Sequence, residues 1–133
     1  MGLPVHWSIA IIAVLSAIAI VNLNTARNKA NNVAIKANLS TLPAAAETYY
    51  NDNYNDYSGF CTATSIEGVR ASVQGINNYA CADDVGNPKA CFDCDADKYD
   101  WIVFGRLHAG NWFCIDGLGT QSITSTPNSG TCI

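Results

Sequence analysis

Residues 8–21, SIAIIAVLSAIAIV, form an apolar run in which Ser8 and Ser16 are the only polar residues. They pass directly into residues 22–53, NLNTARNKANNVAIKANLSTLPAAAETYYNDN, in which apolar positions recur at three- and four-residue steps. We therefore predict one long helix over about residues 5–53, with an apolar first part and an amphipathic second part.

The second part of this helix has two apolar faces. One face comprises Leu23, Ala26, Ala30, Val33 and Ala37, and the other comprises Ile35, Leu39, Leu42, Ala46 and Tyr49. Such a pattern predicts that one face packs on a globular domain and the other on a different partner. Pro43 lacks an N–H group, so we expect a bend at or just before it. We divide the chain into an apolar membrane or filament-core helix, residues 1–24, and a globular part, residues 25–133.

The rest of the chain predicts a small α+β domain. Thr64 and Glu67 have the spacing of a capping box and predict a second helix, whereas residues 77–98 are expected to be irregular. Aromatic and β-branched residues then predict three strands, over residues 99–107, 111–116 and 120–126. The expected fold is a long helix packed on a small antiparallel sheet, with loops held by disulfides.

Composition restricts the compartment and the partners. Six cysteines in so short a chain indicate disulfides and an oxidising compartment. The net charge of −4, with seven Lys and Arg residues that form no block, predicts no specific nucleic-acid site. Arg27, Lys29 and Lys36 follow the apolar run and no Lys or Arg precedes it. By the positive-inside rule this would place the globular part in the cytoplasm. A basic leader ahead of residue 1, since removed, would resolve the conflict with the cysteines.

No motif predicts an enzyme. Cys91 and Cys94 have the spacing of a redox pair, but the four surrounding aspartates disfavour a thiolate, and one such pair is too few for a four-cysteine zinc site. His6 and His108 have no nucleophile or carboxylate at a telling spacing. We therefore predict no catalytic residue, no cofactor and no resident metal.

One acidic run has the alternating spacing of a calcium loop. It consists of Asp93, Asp95 and Asp97. Such a loop requires Gly at its sixth position and Glu at its twelfth, where this chain has Lys98 and Phe104. An acidic turn in solvent is the favoured interpretation, and calcium binding is the alternative.

Three segments resemble the type IV pilin family and its pseudopilin relatives. They are residues 9–53, residues 49–61 (YYNDNYNDYSGFC) and residues 112–132 (WFCIDGLGTQSITSTPNSGTC). The resemblance implies a structural subunit of an extracellular type IV pilus-like filament, which would serve adhesion, motility or DNA uptake. Its partners would be copies of itself, the inner membrane before assembly and the pilus assembly machinery. The filament core would be formed by Ile9, Ile11, Ile12, Val14, Leu15, Ile18, Ile20 and Val21.

The resemblance also implies a set of disulfides. These are Cys61–Cys94, Cys81–Cys91 and Cys114–Cys132; an alternative pairs Cys61 with Cys81 and Cys91 with Cys94.

The first eight residues, MGLPVHWS, depart from the family, whose mature chains begin with Phe-Thr-Leu-Ile-Glu. No acidic residue precedes Glu47. Either the subunit does without the family's glutamate, or residues 1–8 are not the native start, which is the interpretation we favour.

Two other functions remain open. A minor pilin or a type II secretion pseudopilin would have the same helix. A secreted, disulfide-rich binding domain would use the apolar run as a signal sequence, with a cleavage site at residues 17–19.

Overall fold

A computed structural model describes residues 5–76, 91–127 and 131–132 of the chain. The fold is α+β: a long, slightly bent N-terminal helix packs on a four-stranded antiparallel sheet. The elements are α1 (Val5–Leu39), α2 (Leu42–Asp52), a 3-10 turn (Phe60–Thr62), α3 (Thr64–Ile76), β1 (Phe92–Ala96), β2 (Trp101–Arg106), β3 (Trp112–Asp116) and β4 (Gln121–Thr124).

The predicted bend is confirmed, and it lies just before Pro43. Ser40 and Thr41 form a turn between α1 and α2, and their hydroxyl groups donate to the carbonyl oxygens of Lys36 and Asn38, each at 2.7 Å. The backbone N–H groups of Ser40 and Thr41 donate to the same two carbonyl oxygens, at 2.9 and 3.3 Å, so the hydroxyl groups reinforce the end of α1. Pro43 then falls in the first turn of α2, where its missing N–H costs no hydrogen bond.

The chain forms two compact units, Met1–Ala30 and Asn31–Ile133. The division between these units falls within α1, and the functional division after residue 24 stays a prediction. Within the second unit, Asn31 and Asn32 bond to the turn between β2 and β3: Asn31 Nδ2 lies 3.0 Å from His108 Nε2, and Asn32 Oδ1 accepts a 2.8 Å hydrogen bond from the His108 backbone N–H.

The sheet is a meander in the order β1–β2–β3–β4, and one row of residues explains how the helix docks on it. Phe92, Gly105, Phe113 and Ile123 are successive partners across the four strands. A Cβ atom at Gly105 would clash with the Leu39 side chain and lie 3.1 Å from Ile35 Cγ2. The missing side chain therefore makes the space that α1 fills.

The described residues form two buried apolar clusters. The larger lies between the helices and one sheet face and contains Ile35, Leu39, Leu42, Ala46, Tyr57, Phe60, Ile66, Val73, Phe92, Trp101, Val103, Leu107, Phe113 and Ile115. The smaller contains Ile102, Phe104, Trp112, Cys114 and Cys132. The second predicted face of the long helix is thus the one that packs on the domain.

Two predictions about local structure were wrong. Part of the segment expected to be irregular, residues 77–98, is strand β1; residues 77–90 lie outside the described residues. The helix α3 begins at Thr64 as expected, but without the capping box. The Glu67 backbone N–H donates to the Ala63 carbonyl oxygen at 3.1 Å, and the Glu67 carboxylate accepts from Arg70.

Candidate functional site

The first unit presents a continuous apolar surface, which we call the apolar segment, residues 5–23. Every side chain from residue 5 to residue 30 is exposed. The large apolar members of the segment have exposed fractions from 51% to 72%; they are Val5, Trp7, Ile9, Ile11, Ile12, Val14, Leu15, Ile18, Ile20, Val21 and Leu23. All eight residues predicted for a filament core lie on this surface.

The apolar segment has no polar face. Successive helical residues are about 100° apart, so Ile9, Ile11 and Ile12 already point in three different directions. A helix that lies flat on a membrane or on one protein surface keeps a polar side toward water, whereas a helix that is apolar all round requires an apolar environment on every side. The helix is long and apolar enough to cross a membrane by length and composition.

Charge changes sharply beyond the apolar segment. Arg27, Lys29 and Lys36 are the only charged side chains before Glu47, and all eleven acidic residues of the chain lie from Glu47 onward. The cations directly follow the apolar segment, so a lipid or protein environment could cover that segment without burying a charge. Burial of an unpaired charge would be costly.

Disulfides fasten the second unit. Cys61–Cys94 ties the 3-10 turn to strand β1, with a Cα–Cα distance of 5.7 Å, and Cys114–Cys132 ties β3 to the C-terminal segment, with a distance of 5.6 Å. Two of the pairings that the resemblance implies are therefore present. The alternative that joins Cys91 to Cys94 is wrong, and with it the redox-pair interpretation.

The remaining predicted disulfide, Cys81–Cys91, includes Cys81, which lies outside the described residues. Cys91 itself is disulfide-bonded. Among the described cysteines none is a free thiol. Each thus acts as a crosslink of the second unit.

The three aspartates considered above as an alternative calcium loop do not lie together in one loop. Asp93 and Asp95 lie on strand β1, and only Asp97 lies in the turn that follows. Asp97 Oδ1 accepts hydrogen bonds from the backbone N–H groups of Tyr99 (2.7 Å) and Asp100 (2.9 Å), so it shapes the β1–β2 turn. Within the described ranges, no group of three His, Cys, Asp or Glu side chains is arranged to hold a metal ion.

Sequence reasoning missed a buried carboxylate at the end of β3. Asp116 is 2% exposed, and its Oδ1 accepts hydrogen bonds from the backbone N–H groups of Leu118 (3.1 Å) and Thr120 (2.9 Å). Its Oδ2 accepts a 3.3 Å hydrogen bond from the Cys132 N–H. The Asp-Gly pair at 116–117 predicts a turn, but nothing in it predicts that the C-terminal segment returns to the same side chain.

Tyr57, which follows the end of α2, has a perturbed pKa. Tyr57 lies beneath α2 and its hydroxyl donates to Glu47 Oε1 at 3.2 Å. Burial raises the pKa of Tyr57, and the nearby negative charge of Glu47 raises it further. Beside it, hydrogen bonds from the hydroxyl and the backbone N–H of Ser58 lower the pKa of Asp56. Both effects favour the protonation states in which these contacts form at neutral pH.

Comparison of the chain with protein-family models, curated proteins and solved structures gives no match. The structure therefore defines the protein by its architecture alone. A long helix with an exposed apolar first part continues into a small α+β unit that is crosslinked by disulfides.

Proposed function

We propose that this chain is a structural subunit of a type IV pilin-like filament, anchored in a membrane before assembly. One observation carries the proposal: the apolar segment is exposed on every side, while the described residues of the second unit form a buried apolar core. A surface of this kind needs an external apolar environment, and either lipid or neighbouring copies of the segment would supply it.

The energetics favour assembly. Full burial of one Val, Leu or Ile side chain is worth about 1.5–3 kcal/mol. The segment carries eleven large apolar residues that are half exposed or more. In water, even a fraction of that gain from each residue would offset the loss of translational and rotational freedom when two chains associate, which is of order 4–15 kcal/mol. Identical units packed head to tail grow as a helical filament when their contact does not close into a ring.

A secreted binding domain behind a signal sequence is the competing function, because a cleavable N-terminal segment would also be apolar and exposed. Mass spectrometry of the protein from its own cells separates the two. Loss of residues 1–19 from the mature protein would support the secreted domain and overturn the filament subunit. A retained apolar segment would exclude the secreted domain.

A pair of leucine substitutions tests assembly itself. Leu15 and Leu118 are both exposed, at 62% and 82%, but Leu15 lies in the apolar segment and Leu118 in the turn after β3. The intact chain would be purified in detergent, the detergent removed, and the product viewed by negative-stain electron microscopy. We expect filaments from the parent and from Leu118→Lys, and none from Leu15→Lys, because a lysine at the centre of an apolar helix costs about 2.5–3.5 kcal/mol.

Two results would contradict the proposal. The parent chain could stay monomeric after detergent removal, or Leu15→Lys could form filaments as readily as Leu118→Lys. Circular dichroism of both variants checks that the second unit stays folded, so that lost filaments report on the apolar segment.

A further inference from the structure

The C-terminal segment is held to strand β3 by two different bonds that lie side by side. Cys114 and Asp116 are two residues apart on β3 and so share one face of the sheet. Cys114 binds the Cys132 sulfur, and Asp116 Oδ2 accepts the hydrogen bond of the Cys132 backbone N–H. All three residues are buried, with exposed fractions of 0%, 2% and 5% for Cys114, Asp116 and Cys132.

We propose that Asp116 is a positioning residue for the Cys114–Cys132 disulfide. Its carboxylate docks the backbone at Cys132 beside Cys114 before the sulfur atoms are joined, and so selects this pairing among the six cysteines. The inference concerns the second unit alone and does not rest on the proposed function.

The burial of the carboxylate supplies the driving force. An ionised carboxylate that loses water must be compensated by hydrogen bonds, and those from N–H groups to a carboxylate are stronger than neutral ones. The turn after β3 supplies two N–H groups to Oδ1, and Cys132 supplies one to Oδ2. Docking of the C-terminal segment therefore completes the set.

The selection problem is real for a reduced chain. Six thiols can pair in fifteen ways, and Cys114 and Cys132 are separated by 18 residues. In the oxidation step, one glutathione disulfide accepts two electrons and two protons from the two thiols. The Sγ–Sγ bond forms between Cys114 and Cys132, the glutathione S–S bond breaks, and two glutathione thiols leave. Asp116 acts before this step and does not take part in it.

The substitution Asp116→Asn isolates the contact. Asparagine keeps an acceptor oxygen for the turn N–H groups of Leu118 and Thr120, but its NH₂ group would face the Cys132 N–H, where two donors oppose each other. The full chain in detergent would be equilibrated with reduced and oxidised glutathione, and each disulfide quantified by peptide mapping. We expect the equilibrium constant for Cys114–Cys132 to fall about tenfold relative to glutathione.

The Cys61–Cys94 bond is the control within the same molecule. A variant that only destabilises the fold lowers both equilibrium constants together, whereas the proposal requires Cys61–Cys94 to change less than about twofold. Asp100→Asn is the matched control, because its carboxylate accepts from the Trp101 N–H instead. An unchanged Cys114–Cys132 constant in Asp116→Asn, or an equal fall in both bonds, would overturn the proposal.

A second measurement tests the proposal even if Asp116→Asn fails to fold. In the double variant Cys114→Ser/Cys132→Ser the disulfide is absent but Asp116 remains. Hydrogen exchange of the backbone amide at position 132 should still be slowed at least about tenfold relative to an unstructured chain, because the amide is bonded to Asp116 before any disulfide exists. Exchange at the unstructured rate would show that docking requires the disulfide and would overturn the proposal.

Discussion

Leu23 and Leu39 belong to one helix, α1, yet their surroundings are opposite. Leu23 is 51% exposed, and Leu39 is fully buried against the sheet beside Gly105. This difference distinguishes two regions of the chain by whether their apolar side chains are buried within the protein. The described residues of the second unit form a buried apolar core by folding on themselves, whereas residues 5–30 leave their apolar side chains exposed. The same residue type on the same helix therefore serves intramolecular packing at one position and, in our proposal, assembly at the other.

Truncation of the two leucines should give the largest contrast. Leu39→Ala removes a core side chain and should lower the free energy of unfolding of the second unit by about 2–5 kcal/mol. Leu23→Ala removes a side chain that is not part of the core, so the change should stay below about 0.5 kcal/mol. Denaturant unfolding followed by circular dichroism in detergent measures both. Equal losses would show that Leu23 packs on the domain and would remove the contrast.

Two glycine substitutions test how closely α1 packs on the sheet in the second unit. Gly105→Val should cost about 1–3 kcal/mol, because a side chain there enters the space of Leu39 and Ile35. Gly68 lies in helix α3, and a Cβ atom added there would meet no other atom within 4 Å, so Gly68→Ala should stabilise the unit by about 0.5–1 kcal/mol. Thermal unfolding of the two variants should shift in opposite directions. A shift in the same direction would contradict the docking of α1 at Gly105.

The smallest expected effect is a pH dependence at Tyr57. Burial first, and the charge of Glu47 second, raise its pKa in the folded state above the ordinary value of 10.0. Its contribution to stability is therefore complete below about pH 10 and is lost as the pH rises through the folded-state pKa. The free energy of unfolding should fall less steeply above about pH 10 in Tyr57→Phe than in the parent. Identical slopes would show that Tyr57 is not linked to folding.

Much of this fold could be predicted because helical periodicity is a strong signal. The two faces of the amphipathic part are separated as expected: Ile35 and Leu39 are buried, whereas Val33 and Ala37 are exposed. The break before Pro43 follows from the chemistry of proline, which restricts the position of a helix start.

Strand β1 was missed because aspartate is rare in strands. Its sequence, FDCDA, does contain the period of two: Phe92, Cys94 and Ala96 pack toward the helices, and Asp93 and Asp95 alternate with them. Weighting alternation above propensity would have found it.

The role of Asp116 could not be predicted from local pattern. Its third hydrogen bond comes from Cys132, which is distant along the chain, and its burial depends on how the C-terminal segment returns to β3. Such contacts depend on tertiary structure. The sequence indicates them only through the expected Cys114–Cys132 disulfide, which would bring the C-terminal segment back to β3.

Sedimentation velocity of the intact chain tests the central claim most directly. Mass spectrometry would first verify that the purified chain has its full mass, and its sedimentation would then be measured before and after detergent removal. We expect removal of detergent to convert the 14.2 kDa chain into assemblies of many times that mass, because the apolar segment must be buried. A stable, intact 14.2 kDa monomer in water would contradict it.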